Sequence, residues 1–394
     1  MSRNSAEAAE TARIGAIETL LLGRPLRDAP GLLAGLLLAA LVVLAALWVA
    51  DYLNSSFGVN GVFSYIMAAI VIGLVIGNTI EIPAVFSPGI AFCPSKLLRL
   101  GIVMMGIRLS VFDVMRIGVW GIPIVLICIT TGLVLTTYFT RLLRLPPRLG
   151  TLMAVGTSIC GASAIIAAAP VIKANDEEVA YAVANITIFG SLALLIYPYL
   201  ANFLFSGNVV MAGLFQGTAI HDTSQVTAAG LIYDQTFGVS AKPSAADIAI
   251  VIKLVRNVFM AAVIPLMAYL HVRGLSNEEA GSQLRSRPLS MFPLFIIGFV
   301  GMAAVRSAGD TGLHHGALAL GVFAQPAWSQ GTAFISDAAG YTLAMAMAGV
   351  GLGTRFKVLK GLGVKPFYVG LFASLVVGVA SAVSVFLLGS LVQI

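Results

Sequence analysis

An all-α integral membrane protein of about nine transmembrane helices plus two re-entrant hairpins is what this sequence predicts, and three observations predict it. Of its residues, 59% are hydrophobic and only 10% charged. The mean hydropathy of +0.97 lies far above that of ordinary soluble domains. Eleven apolar stretches recur along the chain with little polar sequence between them, and several of them match one another in pairs.

The stretches lie at roughly 31–52, 61–80, 97–110, 117–140, 150–172, 178–204, 209–233, 246–270, 290–308, 336–353 and 366–390. Residues 1–30 form a polar segment carrying both signs of charge. The run after it, from Gly31 to Ala50, is long enough to span a bilayer at about 1.5 Å per residue. Trp48, Asp51 and Tyr52 at its end do not resemble a cleavage site, so an uncleaved first span is expected. No soluble domain fits between the later spans, and residues 31–394 read as one polytopic domain.

The formal charge of +6 does not point to nucleic acid, because the basic residues stand in short clusters between apolar runs. Sixteen of the 23 basic residues lie in the N-terminal segment (Arg3, Arg13, Arg24, Arg27), at Lys96 and Arg99, in the turn with Arg141, Arg144 and Arg148, and in the 271–288 and 354–365 loops. The positive-inside rule then expects a cytoplasmic N-terminus and an outside C-terminus in a bacterial inner membrane, with Arg116 and Lys242 as exceptions. Cys93, Cys128 and Cys160 sit in separate apolar segments, so neither a disulfide framework nor a metal site is expected.

The repeats refine this picture. LGIVMMGIRLSVFDVMRIG from Leu100 resembles LAMAMAGVGLGTRFKVLKG from Leu343, and GTSICGASAIIAAA from Gly156 resembles GTAIHDTSQVTAAG from Gly217. If both glycine-rich segments crossed the membrane, some matched pairs would run parallel and others antiparallel. As re-entrant hairpins entering from opposite faces, they make every pair antiparallel, which an inverted repeat of about 61–204 and 209–390 requires.

The hairpin motifs hold the chemistry. Thr157, Ser158, Cys160, Gly161 and Ser163 interrupt an apolar run with hydroxyls and glycines, so the backbone can turn there. A helix starting near Gly161 would aim its positive end at the midplane, where an anion is favoured. After Gly217, the residues Thr218, His221, Asp222, Thr223, Ser224 and Gln225 place six costly polar side chains in the second run. Lys253, Arg256 and Asn257 follow at i, i+3 and i+4 on one helical face, opposite Asn185 and Thr187 of the first repeat. Arg256 is expected to pair with Asp222, while Arg108 and Lys173 read as interfacial. The bland alternatives are small-residue packing at the first tip and internal salt bridges at the second.

These blocks, with DEEVAYAVANITIFG, IVIKLVRN and AMAGVGLGTRFKVLKGLGVKP, resemble the YeiH-like family of bacterial membrane proteins, often labelled sulfate exporters. The resemblance covers about residues 60–390. It is most specific at SICGASA and at the block from His221 to Val226, where Asp222 stands in place of a more usual Glu and the 309–335 connection is longer than usual. It implies sulfate or a sulfonate as solute.

The combined expectation is a secondary transporter of a small anion, energised by a gradient of H⁺ or Na⁺ and needing no cofactor. Ser158, Cys160, Gly161, Ser163, His221, Asp222, Ser224, Gln225, Lys253 and Arg256 would form the solute site. His221, Asp222, Asn185, Thr157 and Thr218 would handle the coupling ion. Besides solute and lipid, a second copy of the chain is an expected partner, since carriers of this kind often dimerise. Two other classes share the cavity, a passive anion channel and an intramembrane thiol enzyme built on Cys160 and His221.

Overall fold

The computed structural model describes residues 30–57, 63–272, 294–316, 318–355 and 364–392. The basic residues at 3–27, 273–287, 357 and 360 that carried the orientation argument lie outside them. Every regular element among the described residues is helical, the one β-bridge being the isolated pair Ala319 and Phe323.

In chain order the helices are α1 (Pro30–Ser56), α2 (Tyr65–Thr79), α3 (Ala84–Arg108), α4 (Val111–Leu142), α5 (Pro147–Ser158), α6 (Ala162–Ala168), α7 (Asp176–Leu204), α8 (Val209–Ala219), α9 (Thr223–Thr236), α10 (Ala245–Val258), α11 (Met260–Val272), α12 (Phe295–His314), α13 (Gln325–Gly353) and α14 (Val364–Leu388). Six are long and apolar enough to span alone, and α10 with α11, bent by 40°, makes a seventh.

Side-chain contacts fix the direction of each helix. Phe139 stacks on Phe372 with ring centroids 3.9 Å apart, and Gly132 faces Val377, so α4 and α14 are antiparallel. Asn185 donates to the Pro366 carbonyl at 2.7 Å, Phe189 packs on Phe367, and Gly378 faces Tyr197, so α7 runs with α14. Helix α7 therefore starts at the face where α4 ends. The α5–α6 hairpin between them enters and leaves by that one face, called here the N-face because α1 also begins there.

The second hairpin obeys the same logic from the other side. Gly213 and Gly217 lie against Ile248 and Ile252, so α8 runs with α10. Gly230 lies against Ala246, and Asn257 donates to Thr223 at 3.2 Å, so α9 runs back against it. Both ends of α8–α9 meet the C-face, where α14 ends. Among the described residues, α5–α6 and α8–α9 thus enter from opposite faces, and α3, whose Cys93 and Gly101 face Gly349 and Leu343, runs opposite to α13.

Three boundaries move. Helix α3 begins at Ala84 rather than near 97, with 3-10 turns at Ala84–Phe86 and Gly106–Arg108 and a π turn at Cys93–Leu97, so Lys96 lies along it instead of before it. Helix α4 opens at Val111 because Ser110 and Asp113 form a capping box. The 309–335 connection shortens, since α12 runs to His314 and α13 starts at Gln325. An Arg306–Asp310 pair at 2.6 Å and a bond from Trp328 Nε1 to Asp310 at 2.8 Å hold these polar extensions together.

Candidate functional site where two hairpin tips meet

Depth comes first. The first tip, Ser158–Gly161, lies at the height of Gly132, ten residues or about 15 Å from the end of α4 and so near the middle of a roughly 30 Å hydrocarbon core. The second tip, Ile220–Asp222, meets it there: His221 Nδ1 bonds the Thr157 carbonyl at 3.0 Å, and Asp222 lies against Gly161.

Both α5 and α8 end at this point, which leaves two sets of unpaired carbonyls and two partial negative charges inside the membrane. Helix α10 supplies the donors. Lys253 Nζ donates to Ile159 O at 2.8 Å, to Ile220 O at 3.0 Å and to His221 O. Arg256 donates from Nε to Ser158 O at 2.8 Å, from Nη1 to Thr218 O and Ile220 O at 2.8 and 3.1 Å, and from Nη2 to Thr157 O at 2.5 Å. Both cations are 0% exposed. Together they clamp six carbonyls of two hairpins, using all three ammonium protons and four of the five guanidinium protons.

The expected Arg256–Asp222 pair is therefore replaced by helix-end carbonyls, because a helix C-terminus offers several oxygens to a forked donor where a carboxylate offers two. Asp222 caps α9 instead. Its Oδ1 accepts from Ser224 N at 2.9 Å and Ser224 Oγ at 2.5 Å, and Gln225 Oε1 accepts from Asp222 N at 3.3 Å, closing a capping box. Gln225 Nε2 also donates to Thr187 O at 3.2 Å. Ser224 and Gln225, expected as solute ligands, are largely spent on this cap.

Histidine 221 is held in one tautomer. A carbonyl can only accept, so Nδ1 carries the proton toward Thr157, and Nε2 accepts from Ser374 Oγ at 2.7 Å. Thr157 and Thr218 donate to carbonyls of their own helices, Met153 O at 2.8 Å and Leu214 O at 2.7 Å, and Thr218 also meets Ser381 Oγ at 2.7 Å. Cys160 Sγ points to Met260 Sδ at 3.7 Å and has no bond to His221.

Two expected site residues lie away from the centre. Ser163 is exposed on α6, two residues past the turn, because the first turn of α6 rotates it outward. Asn185 sits more than a turn toward the N-face, tying α7 to Pro366. Arg108, read as interfacial, bonds Asp247 at 3.1 Å and Ser244 at 3.2 Å.

Sequence reasoning missed Ser374 and Ser381 on α14, buried at 7% and 0% exposure. Their seven-residue spacing on one stripe of an apolar helix was the signal available. It also missed that Ser158 Oγ, Thr136 Oγ1, Asn257 Oδ1 and both amide atoms of Gln216 are buried without hydrogen-bond partners. No cluster of three His, Cys, Asp or Glu with metal-binding geometry occurs among the described residues.

Comparison with known proteins finds relatives described as membrane proteins. Residues 31–370 match the family model described as conserved hypothetical protein 698. A UPF0324 membrane protein of Bacillus anthracis is 32% identical over 361 residues, covering 91% of this chain and 96% of the relative. One from Pseudomonas aeruginosa is 32% identical over 369 residues, covering 90% and 94%. One from Fusobacterium nucleatum is 32% identical over 304 residues, covering 76% and 84%.

Proposed function

This chain belongs to the conserved hypothetical protein 698 family, the YeiH-like UPF0324 membrane proteins, and on that premise we propose that it is a secondary transporter of a small anion coupled to protons. One observation carries the reading: two hairpins from opposite faces meet at mid-depth, where two fully buried cations of α10 hold both tips. Broken helices meeting at the midplane suit alternating access, since a small tilt of either hairpin opens the junction to its own face. Such a device is wasteful for a purely structural bundle.

Charge decides how solute and proton are linked. Two cations and the N-termini of α6 and α9, at roughly half a charge each, outweigh the Asp222 carboxylate and the C-termini of α5 and α8, and leave the junction with about one net positive charge. One proton added to His221 or Asp222 makes it more cationic and favours an anion by Coulomb attraction in a low-dielectric site. Binding of proton and anion is then mutually favourable, which is the thermodynamic condition for symport. Sulfate or a sulfonate is the solute that the family resemblance suggests. The basic residues described at the ends of the N-face helices, Arg141, Arg144, Arg148, Arg355 and Lys365, support placing that face in the cytoplasm of a bacterial inner membrane.

The test is uptake of labelled sulfate into proteoliposomes with and without internal sulfate, under imposed pH and Na⁺ gradients. Counterflow with acceleration by an inward proton gradient is the expected result. Flux without counterflow would favour a channel, and no flux under any gradient would remove sulfate as the solute.

A further inference from the structure

Hydroxyls buried in transmembrane helices ordinarily donate to a carbonyl one turn back. Thr157, Thr218 and Thr227 all do so, at 2.7 to 2.9 Å. Thr136 and Ser158 do not: their oxygens are fully buried, 0% exposed, and have no partner. An unpaired polar group in an apolar interior costs about 1–3 kcal/mol, so two at one seam call for a role.

The seam lies between α4, α5 and α14. A methyl at Gly132 would meet Ser158 Oγ at 2.6 Å and Val377 at 3.1 Å, so the three helices converge there. The register that stacks Phe139 on Phe372 and sets Gly132 at Val377 puts Thr136 at the height of Ser374, the hydroxyl that feeds His221 Nε2. One turn further out stands Thr140, 3% exposed, which donates to the Thr137 carbonyl at 2.8 Å and keeps its lone pairs free to accept, next to Gly150 and two residues from the N-face end of α4. Steps of four residues are about 6 Å, the span of one bridging water.

The stripe is polar on one side only. From Gly132 toward the N-face its buried residues are Thr136 and Thr140, whereas toward the C-face they are Ile129, Cys128, Val125, Ile124, Gly121, Gly118 and Ile117. Packing alone gives no reason for that asymmetry.

We propose that α4 and α14 carry a proton path from the N-face to His221 through Thr140, Thr136 and Ser374, with water between the hydroxyls. The path rests on the proton-coupled reading given above. Ser374 passes its hydroxyl proton to Nε2 and regains one from the next group in the chain. The net change is one hydronium proton taken at the N-face and one imidazolium formed, and the reverse sequence returns it. The titratable and charged groups around the imidazole are Lys253 and Arg256 of α10, Asp222 of its own tip, Cys160 of the opposite tip and Cys128 of α4.

The experiment reads proton exchange at His221 Nε2, between the neutral and imidazolium forms, by nitrogen-15 relaxation NMR of histidine-labelled full-length protein in lipid nanodiscs. The signal is identified by its loss in His221→Gln. Wild type is expected to exchange, Thr136→Val to slow exchange at least tenfold, Thr136→Ser to restore it, and Thr227→Val, a back-bonded hydroxyl of α9, to leave it unchanged. Equal rates in wild type and Thr136→Val, equal slowing in Thr227→Val, or no exchange in wild type overturns the path. Because the readout needs no solute, a failure of sulfate counterflow counts against the transport reading, and failure of the exchange pattern counts against the path.

Discussion

At Gly161 the backbone turns with φ of 68°, in the left-handed region, and a β-carbon there would meet Asp222 Oδ2 at 2.9 Å. Two costs therefore fall on one methyl group: about 1 kcal/mol or more for the left-handed conformation and a displacement of the carboxylate that caps α9. Gly161→Ala is expected to lower the unfolding temperature in detergent by several degrees and to reduce sulfate exchange more than tenfold. An unchanged melting curve and rate would show that the tips do not need this contact. Glycine was legible in the sequence as a turn residue, but that it faced the opposite hairpin's carboxylate was not, because 60 residues separate the two.

Among the elements, the hairpins were the most legible feature, and the reason lies in the pairing of segments rather than in any one of them. Hydropathy alone marks 150–172 and 209–233 as ordinary spans; only the demand that every matched pair run antiparallel makes them re-entrant. The helix contacts agree, from Asn185 at Pro366 to Gly230 at Ala246. Cysteines placed one at a time at Arg148, Lys173, Asn208 and Lys242 in cysteine-free protein should test this with an impermeant maleimide. The first two are expected to label from one face of oriented vesicles and the last two from the other. Labelling of Arg148 and Lys173 positions from opposite faces would make α5–α6 a crossing segment. What could not be read was how the hairpins use their polar groups. Ser224 and Gln225 look like solute ligands in a list of membrane polar residues, yet with Asp222 they form an Asp-x-x-Gln capping box, a local signature visible in the sequence. Lys253 and Arg256 were found as a cationic face, but their partners are backbone carbonyls, to which side-chain identity gives no clue.

For the molecule as a whole, the balance of charge at the junction links solute to driving force. With Lys253 and Arg256 committed to the ends of α5 and α8, the electrostatic variable left is the proton on the His221–Asp222 pair. Asp222→Asn fixes part of that variable: it keeps the size of the cap and an oxygen for Ser224, and it removes one negative charge at every pH. The junction then holds about one further positive charge permanently, so anion binding should strengthen and lose its dependence on acid, within the 5–150-fold range usual for coupled sites. Labelled sulfate counterflow is expected to persist in this variant, while accumulation driven by an inward proton gradient falls at least tenfold. Loss of counterflow together with accumulation would mean that the Asp222 carboxylate contacts the solute or holds the tips together. Retention of both would move the coupling proton to His221 alone, where the α4–α14 hydroxyls remain its route to the N-face.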